Sequence, residues 1–170
     1  MGASYPEYNS RALAADYRVR PATLDDAALL VRHRVGMFTD MGITMDVAAL
    51  ETAFRAWLTE TMPAGTYRAW LVETPDGHVV GGGGITVLPW PPGPRYPGDR
   101  LAYVYNVYID AAHRRRGLAR RVMDTIHAWC RDAGITSIAL NASNDGRALY
   151  ESMGYVESPN PMMFLAMEGP

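Results

Sequence analysis

The sequence predicts a single α/β domain built around one mixed sheet. Three observations carry that expectation. Apolar residues spaced three or four apart mark helices, and shorter apolar runs bounded by Gly, Pro, Asn and Asp mark strands. These segments follow one another as strand, two helices, three strands, helix, strand, helix, strand. At 170 residues the chain is long enough to bury one real core, and it shows neither an internal repeat nor a linker that would divide it. The expected organisation is a loose extension over residues 1–16 and one domain over residues 17–170.

The first strand is expected at YRVRPA, where Tyr17 and Val19 alternate with arginines as on a sheet edge. TLDDAALLVRHRVGMF follows with Thr23 as N-cap, acids in the first turn and an apolar stripe of Leu30, Val31, Val35 and Phe38. Gly42 ends that helix, and Asp46 caps a second whose stripe is Leu50, Ala53, Phe54, Trp57 and Leu58. YRAWLVETPDGHVVGGGGITVLPW then reads as a hairpin turning at PDGH, and PPGPRYPGDR as a loop. LAYVYNVYID is apolar on both faces, as a central strand is. A helix opening near Arg115 or Arg116 carries Leu118, Val122, Ile126 and Trp129. ITSIALNAS is a strand, NDGRALYESMG a short helix ending at Gly154, and MMFLAM a last strand.

Composition removes several classes of chemistry. All sixteen basic residues are arginine, so a lysine Schiff base and a Walker-type phosphate loop are excluded. The abundance of Ala, Gly, Pro and Arg resembles the coding bias of a GC-rich bacterial genome. Cys130 is the only cysteine, which rules out an intrachain disulfide and a multi-cysteine metal site; its place beside Trp129 favours burial over nucleophilic work. No metal is expected. A net charge of −2 argues against bulk attraction to nucleic acid or an acidic membrane. No apolar run approaches the ~18–20 residues needed to span a bilayer, and no signal-peptide pattern opens the chain, so a cytoplasmic location is expected.

Against that background HRRRGLARR places five arginines in nine residues. Cations at a helix N-terminus oppose the macrodipole, so this placement is poor for helix stability alone. It suits a multiply charged anion such as a pyrophosphate, held on free backbone amides where Gly117 and Ala119 leave room for close approach. For Arg120, Arg121 and Arg131 a solvated helix face is the simpler reading. A nucleic-acid strip would need a broader patch with interleaved aromatics, which this stretch lacks.

IDAAHRRRGLARRVM resembles the acetyl-CoA signature of the GNAT superfamily of N-acetyltransferases, Arg/Gln-x-x-Gly-x-Gly/Ala, with Arg114, Gly117 and Ala119 in its fixed positions. ASNDGRALYESMGY resembles a common ending of the same superfamily. The resemblance spans Tyr17 to Met167 by element order and Leu101 to Tyr155 by motif. It implies a mixed, mainly antiparallel central sheet of about six or seven strands flanked by about four helices. It also implies direct acetyl transfer from acetyl-CoA to a primary amine of a small molecule, antibiotic-like compound or peptide within a ternary complex, and a homodimer as a common assembly.

Residue by residue, the resemblance places backbone contacts to pantetheine and the thioester at Val107 and Ile109. It places the pyrophosphate on the amides of Arg115, Arg116, Gly117, Leu118 and Ala119, beside Arg114. Ser143 and Asn144 stand where a polar cofactor contact is common, although local capping explains them equally well. Tyr150 matches the tyrosine proposed as general acid toward the thiolate of CoA; packing on a short helix is the alternative. The base is left unassigned among Glu73, His33, His78, Asp40 and water, since Tyr105 and Asn106 stand where relatives often carry a glutamate. Asp40, Trp90 and Tyr105 are candidate acceptor contacts. Gly81 to Gly84 lack the Lys-Ser/Thr of a phosphate loop and suit a bulge or a close backbone approach. The missing base leaves one alternative function: a non-catalytic module that binds CoA or a metabolite.

Overall fold

The computed structural model describes residues 16–160 and 162–167. The expected extension over residues 1–16 therefore lies, but for Asp16, outside the described residues. Five strands form one sheet in the order β1-β2-β3-β4-β5: Arg18–Pro21, Tyr67–Glu73, Val79–Pro89, Arg100–Ile109 and Ile138–Leu140. The first four are antiparallel neighbours, and β5 joins β4 in parallel. Four α-helices accompany them: α1 Ala27–Asp40, α2 Val47–Thr61, α3 Leu118–Asp132 and α4 Asn144–Ser152. The fold class is the expected one, with five strands among the described residues where about six or seven were expected. Residues 162–167 account for part of the difference. They form no ladder, and Met163, Phe164 and Leu165 stand exposed.

Two apolar clusters sit on the sheet. One gathers Val104, Ile109, Leu118, Val122, Met123, Ile126 and Cys130 between the sheet and α3. The other gathers Leu30, Val31, Phe54, Leu58, Tyr67 and Leu71 between α1, α2 and β2. Asp46 caps α2 as expected, its carboxylate accepting from the Ala49 amide at 3.0 Å, a contact worth ~1 kcal/mol in such helices. The Pro-Asp-Gly-His turn also forms, with Gly77 left-handed and the Thr74 amide donating to the His78 carbonyl.

The sheet carries one deliberate irregularity. β4 residues Tyr105 and Tyr108 pair with Gly84 and Gly82, so Asn106 and Val107 together face the single Gly83. This is a β-bulge, and Asn106 takes the left-handed conformation (φ 56°) that asparagine tolerates better than other side chains do. The four glycines of β3 are packed too closely to admit side chains. A Cβ at Gly83 would stand 2.9 Å from Val122, and one at Gly84 would stand 2.1 Å from the Tyr67 hydroxyl.

Candidate functional site

The bulge opens the sheet. β5 pairs with Ala102, Tyr103 and Val104 and no further, so beyond Val104 that edge of β4 has no ladder partner among the described residues. Val107 and Ile109, the expected pantetheine contacts, lie on this free stretch. Val107 packs against the same core as Leu118, Leu140 and Tyr150.

The chain leaves β4 through a short 3-10 turn at Ala111–His113 and reaches α3 only at Leu118. Here the structure corrects the expected helix start near Arg115 or Arg116. Arg115 (φ 59°) and Gly117 (φ 74°) are left-handed with Arg116 between them, and residues of alternating handedness cannot continue a helix. Arg114, Arg115 and Arg116 are therefore loop residues. The same alternation turns successive N–H groups toward one concavity, the backbone nest that receives anions. Gly117 is the N-cap, no side chain caps the helix, and a Cβ at Gly117 would meet nothing within 4 Å. The first-turn amides thus face open space at the positive end of a 15-residue helix.

The arginines divide by what they touch. Arg114 turns back from the concavity: its Nε donates to the Ile109 carbonyl at 2.8 Å and its Nη2 pairs with Asp40. Asp40, an expected acceptor contact, ties the end of α1 to this loop. Arg115 is exposed, while Arg116 reaches, among the described residues, only the Ala112 carbonyl, at 3.4 Å. Arg120 is bound to the Ser152 hydroxyl, joining α3 to α4. Leu118 is buried in the core and Ala119 packs beside it.

Tyr150 lies on α4 with its ring edge-on to Tyr155 at 5.8 Å, and burial raises its phenol pKa. Its hydroxyl has no hydrogen-bond partner among the described residues. Ser143 caps α4, its hydroxyl accepting from the Gly146 amide at 3.2 Å, and Asn144 opens that helix exposed to solvent. Trp90, 41 % exposed, begins the proline-rich loop and is fixed through its amide to the Asp99 carbonyl. That loop and Ser158 and Asn160 border a concavity of about 410 Å³ that includes none of the expected site residues. Tyr105 precedes the bulge, its ring 4.8 Å from that of Tyr103.

The four base candidates are engaged elsewhere. Glu73 accepts from Arg20, His78 bonds Asp76 in the hairpin turn, and Asp40 pairs with Arg114. His33 is 2 % exposed beside Tyr108, and burial lowers its imidazole pKa to about 4. Cys130 is 1 % exposed with its thiol pushed up to about 11 by burial, which leaves no thiolate for an acyl-enzyme route. Among the described residues no group of three or more His, Cys, Asp or Glu is placed to hold a metal, and no helix is long and apolar enough to cross a membrane.

Sequence reasoning missed one feature of the site. Arg34 on α1 donates from Nη1 to the Asn106 side-chain oxygen at 2.6 Å, and Asn106 donates to the Tyr67 hydroxyl at 3.2 Å. A buried polar chain thus runs from α1 through the bulge to β2. The asparagine facing a run of glycines was its local signal; the arginine, 72 residues away, had none.

Residues 42–155 match the Acetyltransferase (GNAT) family. The chain belongs to that family. A GCN5-related N-acetyltransferase from Ralstonia eutropha JMP134 superposes with a TM-score of 0.82 at 33% identity, over 88% of this GNAT chain and 98% of its own. A predicted acetyltransferase from Clostridium acetobutylicum, solved with acetyl-CoA, superposes with a TM-score of 0.80 at 21% identity, over 88% and 96% of the two chains. Among curated proteins, a probable glucosamine 6-phosphate N-acetyltransferase from Oryza sativa subsp. japonica is 35% identical over 60 residues. Human N-acetyltransferase 8 is 31% identical, also over 60 residues. Those stretches span 36% and 26% of the two proteins, so the likeness concerns a part of each.

Proposed function

We propose that this GNAT protein transfers the acetyl group of acetyl-CoA directly to a primary amine within a ternary complex. The observation that carries the proposal is the pairing of a sheet gap with an anion nest at its end. The free edge of β4 from Tyr105 to Ile109 offers backbone donors and acceptors to an extended amide-bearing chain, as a neighbouring strand would. The amides from Arg115 to Ala119 offer a site for two linked phosphates. The residues present therefore fit acetyl-CoA, which supplies the activated acetyl group.

The protein's own part is positioning and proton management. N–H groups on the free edge, fixed before the reaction, stabilise negative charge developing on an acyl oxygen. Tyr150, like any phenol near its ordinary pKa, is protonated at neutral pH, and burial raises that pKa further; its hydroxyl is a donor to a departing thiolate sulfur. With the carboxylates and His33 engaged, the acceptor amine loses its proton to water or arrives neutral. Buried, unionised Cys130 supports direct transfer over a covalent acyl-enzyme.

The test is a screen of primary amines with free-thiol detection and mass spectrometry of the product. Amine-dependent CoA release with an acetylated product is expected; CoA binding with no transfer to any amine would favour the non-catalytic module. Tyr150→Phe is expected to lower turnover about 100-fold, the range for loss of one general acid, with acetyl-CoA binding within about twofold of wild type.

A further inference from the structure

We infer that Arg34 is the anion-recognition element of the acceptor site, so that the acceptor carries a carboxylate or phosphate beside its reactive amine. The inference rests on the acetyl-transfer reading and adds to it the chemical class of the acceptor.

Arg34 and Arg20 are both half-buried arginines of the same domain, and their surroundings differ. Arg20 is matched by two carboxylates, Asp26 at 2.8 Å and Glu73 at 2.5 Å, which hold its pKa above the ordinary value. Arg34 has no carboxylate partner among the described residues, and burial pulls its pKa below the ordinary value. Its guanidinium lies 4.9 Å from the ring centre of Phe38 and 4.8 Å from that of Phe54. These aromatic faces attract a cation but accept no directed hydrogen bond of carboxylate strength. The Nε atom is fully shielded and has no partner. Of the donors on this side chain, the described residues engage Nη1, through the neutral Asn106 side chain.

A half-buried guanidinium without a counter-charge is an unfavourable arrangement for a free-standing fold. Carboxylates of the same domain are matched to other arginines: Asp40 to Arg114, Asp110 to Arg32, and Asp26 and Glu73 to Arg20. The location then indicates what does. Asn106, which anchors the guanidinium, lies two residues past Val104, where β5 leaves β4 and the gap begins. An acceptor amine must approach that opening to meet an acetyl group lying along the free edge. An anionic group on the same molecule, seated on the Arg34 guanidinium, would fix the amine at the bulge. Arginine's planar fork suits carboxylate and phosphate alike.

The test measures thermal stabilisation of the full chain with CoA saturating, so that the signature loop is already occupied. Matched probes with and without the anionic group are L-phenylalanine with L-phenylalaninamide, glycine with glycinamide, and glucosamine 6-phosphate with glucosamine. In at least one pair the anion-bearing member is expected to raise the Tm by about 2 °C or more and the member without the anion by less than half as much. The charge-dependent part should vanish in Arg34→Met and survive in part in Arg34→Lys. Stabilisation by the carboxylates alone points to an amino-acid-like acceptor, and by the phosphate alone to a phosphorylated amine. Equal shifts within every pair, no shift from any probe, or a preference that survives in Arg34→Met overturns the inference. Should Arg34→Met fail to fold, the wild-type pairs decide. CoA binding without charge preference defeats this inference and leaves acetyl transfer standing; failure to bind CoA defeats acetyl transfer, and the pairs are then read on the free protein by the same criterion.

Discussion

The two sides of the bulge are built from different materials. On the side proposed for the anion, between the end of β4 and α3, nine consecutive residues from Ile109 to Gly117 set the backbone, and the groups proposed to recognise it are main-chain amides. On the side of α1 and α2 the groups are side chains brought together from distant parts of the chain: Arg34, Phe38 and Phe54 from two helices, Tyr67 from β2 and Asn106 from β4. A site made of local backbone keeps its shape while its side chains vary. A site made of buried side chains depends on their charge and protonation.

Acid should therefore disturb the second side first. His33, next to Arg34 on α1, is buried and neutral, and its pKa falls from 6.5 to about 4 chiefly through burial. Both folded and unfolded forms are neutral above pH 6.5. As pH falls from 6.5 toward 4 the unfolded chain takes up the proton before the folded one does. Stability is then lost progressively over that window, by about 3 kcal/mol in all. Urea unfolding at pH 7 and pH 4.5 checks this: the difference should shrink in His33→Gln, and an unchanged difference would remove His33 from the account.

Gly117→Val probes the first side with a smaller effect. The added side chain has open space around it but must hold φ near 74°, a strain of about 2 kcal/mol for a branched residue. The expected results are a Tm lower by a few degrees and acetyl-CoA affinity weakened about tenfold as the nest flattens. Unaltered affinity would mean that the nest's curvature does not matter.

The same contrast explains how much of the molecule was legible in its sequence. Apolar runs and turn residues located the five strands and four helices observed among the described residues, because they record what the core covers: one stripe of a helix such as α3, and both faces of a central strand such as β3. The expected start of α3 is too early: arginine is a good helix former, and the left-handed backbone at Arg115 and Gly117 that delays the helix to Leu118 leaves no mark in apolar spacing. MMFLAM has the composition of a strand, but pairing needs a neighbouring edge, and composition does not record one. The loop proposed for the anion was legible as a motif because its residues are consecutive. Asp40 and Asn106 were noticed singly, and neither revealed its partner, since Arg114 stands 74 residues from Asp40 and Arg34 stands 72 from Asn106. Pairings over such distances are fixed by how helices pack on the sheet, which periodicity alone leaves open.

Calorimetric titration of acetyl-CoA into the wild type, Arg116→Glu and Arg131→Glu bears most directly on the claim that this loop and helix end receive the pyrophosphate. Wild-type binding is expected between low-micromolar and sub-millimolar Kd. Arg116→Glu should weaken it at least about tenfold by adding negative charge beside the phosphates, and Arg131→Glu, in the last turn of α3, by less than about twofold. Equal losses in the two variants, or no heat of binding in the wild type, would contradict it.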